Sequence, residues 1–165
     1  MINIQVIKTN NPLFNSLSIS SINPIISQLK EALKDNNNAW RIAWRIGHKI
    51  TKNDECIIPH IDAIIAALNC KKDGHQRELL KILEKMDLNE TQEGLLFNEC
   101  IIIWKKTDKI PSVRIKAFQI LSKIANDYPE LKKELIHFTS NEYTNTLGKG
   151  IRQSFNKMII SMDMK

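Results

Sequence analysis

Apolar residues recur along most of this chain at the three- and four-residue spacing of amphipathic helices, and turn-forming residues fall between the runs. Asn11-Pro12 and Asn23-Pro24 each read as an N-cap followed by proline at the first helical position. The second opens a helix over residues 24–34, with Ile25, Ile26, Leu29 and Leu33 on one face. Asn36, Asn37 and Asn38 end it, and residues 39–51 form the next helix. Residues 57–69 are nearly all apolar, which predicts a buried central helix. Lys71-Lys72-Asp73-Gly74 reads as a turn. Further helices are predicted over 76–86, 91–106, 112–126, 129–138 and 147–162, and residues 11–21 read as a worn first helix. Residues 2–7 alternate like a strand, but one such segment cannot build a sheet, so the fold class is all-α.

A frame repeats along these helices. Trp40-Arg41, Gln76-Arg77, Val113-Arg114 and Ile151-Arg152 place arginines 36, 37 and 38 residues apart, each leading into an apolar or alanine-rich stretch. A period of two helices plus two turns predicts repeats that bury their apolar faces against their neighbours. Val113-Arg114-Ile115-Lys116-Ala117, with Leu121 after it, resembles the core of HEAT repeats. That resemblance implies an α-α superhelix of about four antiparallel helix pairs over residues 23–165, preceded by an N-terminal extension, residues 1–22. It also implies an Asp–Arg ladder between repeats. Asp35 stands six before Arg41 and Asp108 six before Arg114, while Lys71 and Thr146 take that place before Arg77 and Arg152. The helix order is similar to that of short, free-standing bacterial HEAT-like proteins, some of which carry an adenylosuccinate-lyase label. The Ser-Ser-x-Met-Pro loop of that lyase does not occur in this chain, and the lyase reading ranks last.

Composition narrows the chemistry. At 165 residues the chain has the size of one domain able to bury its own core. With 5 glycines it has no GxGxxG, and Gly148-Lys149-Gly150 lacks both the upstream glycine (Tyr143 stands there) and the Ser/Thr of a phosphate loop. GxSxG and HExxH are also missing. The expectation is a chain without catalytic function and without a cofactor. Cys56, Cys70 and Cys100 are odd in number and far apart, and read as buried small hydrophobes of a reducing, cytoplasmic compartment. The N-terminus does not read as a secretory leader, and no run approaches a membrane span. Cys56, His60 and Asp62 lack the spacing of a zinc set, so no metal is expected. His75 and His137 read as solvated, Asp54-Glu55 as complementing a helix dipole, and Glu78 and Glu84 as surface partners of Lys81 and Lys85.

The net charge of +6 is unevenly placed. Residues 36–53 hold Arg41, Arg45, Lys49 and Lys52 and no acid. On a helix Arg41, Arg45, His48 and Lys52 fall in one stripe, edged by Trp40 and Trp44. Such a stripe suits phosphate or carboxylate groups, with stacking support from the indoles. Aromatic residues at helical spacing are expected first as packing between repeats, and Arg41 first as a ladder member. Arg45, His48 and Lys52 have no ladder role and lead the candidates, with Trp40 and Trp44 beside them. Residues 109–126 and 144–162 likewise lack acids. Together the three segments carry eleven cations, which leaves −5 elsewhere. Read as first helices of their pairs, they predict a basic face able to steer an anionic partner. The leading expectation is a scaffold that binds an acidic protein. Nucleic acid is the alternative, because HEAT-like alkylpurine glycosylases use such repeats, but the catalytic Asp of those enzymes has no counterpart beside Trp40 or Trp44.

Overall fold

The computed structural model describes residues 23–162, so the expectations for residues 2–7 and 11–21 lie outside the described part. The described residues form helices and turns without a strand: α1 (Pro24–Ala32), α2 (Ala39–Lys49), α3 (Ile61–Ala67), α4 (Asp73–Leu83), α5 (Glu90–Lys105), α6 (Pro111–Asp127), α7 (Pro129–His137), α8 (Asn141–Thr144) and α9 (Lys149–Ser161). Local chemistry sets the helix starts. Proline opens α1, α6 and α7, and the Asn23 side chain accepts the Ile25 N–H at 2.9 Å. Asn89 and Gln92 close a reciprocal capping box on α5.

The helices pack as pairs in two layers. α1 lies on α2, α3 on α4 and α5 on α6. The second helices stand side by side, α2 on α4, α4 on α6 and α6 on α9, while α3 meets α5 across the other layer and α7 packs on α6. The core between the layers holds Ile46, Ile64, Leu79, Leu80, Trp104, Phe118 and Leu121, all fully buried. Two expectations change here. The basic segments belong to α2, α6 and α9, which are the second helices of their pairs rather than the first. Residues 57–69 are a short α3 between two 3-10 turns (Ile58–His60 and Leu68–Cys70), not a central helix. Ile57, Ile61, Ile64, Ile65 and Leu68 are buried, but Ile58, Asp62, Ala63 and Ala66 face solvent, because Pro59 and the helix period leave only one side for the core.

Gly47 is the one glycine with a neighbour close enough to matter. A Cβ there would meet Ile82 Cγ1 of α4 at 3.8 Å, which is ordinary van der Waals contact. Glycine inside a helix costs about 0.5–1 kcal/mol relative to alanine. Gly47→Ala is therefore expected to raise the unfolding free energy by about that amount in urea melts followed by circular dichroism. A loss of stability would show that the α2–α4 seam is tighter than this distance implies.

Candidate functional site

Helix α2 builds the candidate site by turning two different sides outward and inward. Ala39, Ala43, Ile46 and Ile50 are buried. Gly47 lies seven residues after Trp40, on the same helical stripe, and faces α4. The indoles therefore line the seam between α2 and α4, at the edge where that seam opens to solvent. Trp40 is 41% exposed and Trp44 46% exposed. This reverses the expectation that the pair packs between repeats: Trp40 borders an open groove with Gly74 and His75 of α4, and Trp44 an open recess lined by α2 residues and Asn38.

Arg41 and Arg45 are exposed beside the indoles. The Arg41 guanidinium lies 5.4 Å from the Trp40 ring centre. The His48 ring packs 4.2 Å from Trp44, and its Nδ1 donates to the Trp44 carbonyl oxygen at 2.8 Å. Asn38, Trp40, Arg41, Ile42, Trp44 and Arg45 line an open recess of about 700 Å³. Lys52 does not join them. α2 stops at Lys49, Asn53 turns the chain at φ 53, and Lys52 Nζ lies 3.5 Å from Asp87 at the α4–α5 turn. The helical projection that placed Lys52 on the stripe ends with the helix.

The basic face is also interrupted, since α4 stands between α2 and α6 and carries acids. Glu78 is buried and holds both Arg77 and Lys81, at 2.9 and 3.0 Å. Glu84 takes Lys116 of α6 at 3.1 Å, and Asp73 takes Lys109 at 2.7 Å. The expected Glu78–Lys81 pair forms, but Glu78 is buried rather than a surface charge, and Glu84 turns to Lys116 rather than Lys85. Lys85 instead reaches back to the end of α2, where its Nζ donates to the carbonyls of Gly47 and Ile50 at 2.7 and 3.0 Å. Among the described residues Arg41, Arg45 and Lys49 have no carboxylate within ion-pair distance.

The four frame arginines have four different surroundings. Arg41 lies on Trp40, and Arg77 donates to Glu78 and to Ser112 Oγ of the next pair. Arg114 is wholly buried and donates to the Trp104 carbonyl at 3.0 Å, to Thr146 Oγ1 at 2.6 Å and to the Tyr143 carbonyl. Arg152 donates to the carbonyls of Thr144 and Asn145. Asp35 and Asp108 are exposed and make no ion pair with Arg41 or Arg114 among the described residues. The connection between the second and third pairs runs through Asp73, whose carboxylate takes Lys109 and the Ile110 N–H, both at 2.7 Å. These contacts hold its pKa below the usual aspartate value despite partial burial.

Other chemistry is sparse. Cys100 is buried, which pushes its thiol up, whereas Cys56 is half-buried and Cys70 is exposed, so only one of the three is a core residue. Burial and the Asp54 carboxylate also raise the Cys56 thiol, opposite to a nucleophile's need. His137 is exposed as expected, but His75 is buried on α4, between the end of α1 and Lys71. No helix of the described residues is long and apolar enough to cross a membrane.

The family model of the HEAT repeat domain matches residues 14–162. No curated protein and no solved structure matches the chain. With the paired helices, the two layers and a match over nearly the whole length, this chain belongs to the HEAT-repeat domain family.

Proposed function

We propose that this protein is a non-catalytic HEAT-repeat scaffold that binds an acidic protein partner through the outer side of α2. One observation carries the reading. Two tryptophans one helical turn apart stand exposed beside two arginines that no carboxylate pairs among the described residues. Tryptophan and arginine dominate binding hot spots, because a large ring and a planar cation gain most from being desolvated together. Leaving both indoles in water has no value for folding. HEAT repeats commonly serve as scaffolds for protein interaction, which supports the same reading at the level of the family.

Comparative capture tests it. Partners recovered by the intact chain are compared with those recovered by Trp40→Ala/Trp44→Ala and by Lys149→Glu/Lys157→Glu on α9. The expected result is a partner retained by the α9 variant, with affinity for the α2 variant reduced by about 30-fold or more at unchanged helicity. Partners lost from the α9 variant and kept by the α2 variant would sink the assignment. Nucleic acid is the second reading, favoured by stacking-competent indoles next to Arg41 and Arg45. Its signature is salt-dependent DNA binding that Arg45→Ala abolishes, and a flat response at low salt rejects it.

A further inference from the structure

Beyond α4 from the indoles, a second surface carries the opposite charge. α5, the end of α6 and α7 enclose a groove of about 300 Å³, whose lining holds Glu90, Glu93 and Glu134 and no cation. None of these glutamates has an ion-pair partner among the described residues. Tyr128 donates its hydroxyl to Glu93 at 2.8 Å and fixes that carboxylate at the groove wall. The floor is apolar, with Phe97 and Ile124 buried and Leu131 half-buried. Gly94 lines the same groove, and a Cβ there would meet nothing within 4 Å, so the α5 backbone is open to an incoming side chain.

The recess on α2 has the inverse composition. Its lining holds Arg41 and Arg45 and no carboxylate, bordered by the exposed Trp40 and Trp44. A guanidinium pairs with carboxylates through two parallel hydrogen bonds. An indole gains from a desolvated apolar floor, and its N–H needs an acceptor. The α5–α7 groove meets each of these needs and brings no cation to repel the arginines. α4 separates α2 from α6, so the folded chain leaves both surfaces open to another molecule.

We propose that the acidic partner of α2 is a second copy of this chain, docked head to tail. The α2 indoles lie on the apolar floor of the second copy's α5–α7 groove, and Arg41 and Arg45 meet the glutamates at its rim. The inference rests on the α2 reading and names its partner. Because the two surfaces differ, the contact is heterologous: each docked copy still offers one free surface, and association grows past a dimer.

Sedimentation velocity of the full chain over a concentration series tests it. At low salt the average mass is expected to rise from the 19.0 kDa of one chain past that of a dimer, and to fall back as salt is raised. Trp40→Ala/Trp44→Ala removes one surface and Gly94→Arg blocks the other. The Gly94 position is open and arginine is a better helix former than glycine, so the second change does not threaten the fold. Each variant alone is expected to associate about tenfold more weakly or worse. Mixed, the two are expected to form a dimer and stop, because the first supplies the groove and the second supplies α2. A wild-type series that ends at a dimer, a mixture that forms none, or association undiminished in either variant would overturn the proposal. A monomer at every concentration would overturn it too. The α2 reading then stands or falls separately, on whether Trp40→Ala/Trp44→Ala loses a different acidic protein captured by the intact chain.

Discussion

Arg114→Ala is expected to lower the unfolding free energy by about 3–5 kcal/mol, the largest loss from a single polar side chain in this protein. The side chain is wholly buried, and each of its three nitrogens donates to a separate acceptor: the Trp104 carbonyl, Thr146 Oγ1 and the Tyr143 carbonyl. The first lies in the last turn of α5, where carbonyls lack intrahelical partners and a cation complements the dipole. The others belong to the short α8 and the turn after it, so one side chain joins the third pair to the fourth. Its plane also lies 4.8 Å from the Trp104 ring centre. Alanine removes this and leaves three acceptors with a cavity in place of water. Arg114→Met fills most of the volume but satisfies none of the acceptors, so it is expected to lose about 2 kcal/mol. Urea unfolding followed by far-UV circular dichroism reads both. A loss below about 1 kcal/mol for the alanine variant would mean that water replaces the guanidinium without difficulty.

Phe155→Ala is expected to cost about 3–4 kcal/mol and to change how the molecule unfolds. Phe155 is the one buried residue within α9, stacked on Trp104 at 5.2 Å and tilted against Phe118 at 4.7 Å. In a repeat array each pair depends on its neighbour, so an end helix that loses its anchor separates before the rest. Amide exchange in α9 should rise towards the unprotected rate while α4 keeps its protection. A uniform rise across both helices would show instead that the array melts as one unit. Arg114 and Phe155 share Trp104, so the double variant should be less destabilised than the two losses added together.

Helices and repeat are legible in the sequence because both depend on local pattern. Pro24 and Pro129 mark starts that the structure reproduces, and α6 begins at Pro111, one residue before its expected start, since proline suits the first turn and clashes later. The frame of Arg41, Arg77, Arg114 and Arg152 marks the second helix of each pair. α8, at four residues, is too short to show a period and escaped the sequence reading. The surroundings of the site were far less legible. Trp40 and Trp44 resemble core residues by spacing, yet both border open recesses and stay in water. His75 looks solvated between charged neighbours, yet the end of α1 closes over it. The acids of α4 were visible in the sequence; comparing all four frames, rather than the three acid-free ones, would have revealed the interruption of the basic face.

The sequence by itself therefore determined an all-α repeat, the order of its helices and the concentration of unopposed cations on α2. Those properties follow from hydrophobic period, capping and local charge, each of which acts within a few residues. The tertiary structure decided which arginine is buried, which lysines meet carboxylates and which indoles stay in water. Such outcomes depend on what lies about 35 residues away in the next pair, as in the contacts of Lys116 with Glu84 and Arg77 with Ser112. Burial and pairing are set by the neighbour across the seam, and one helix's own period carries no information about that neighbour.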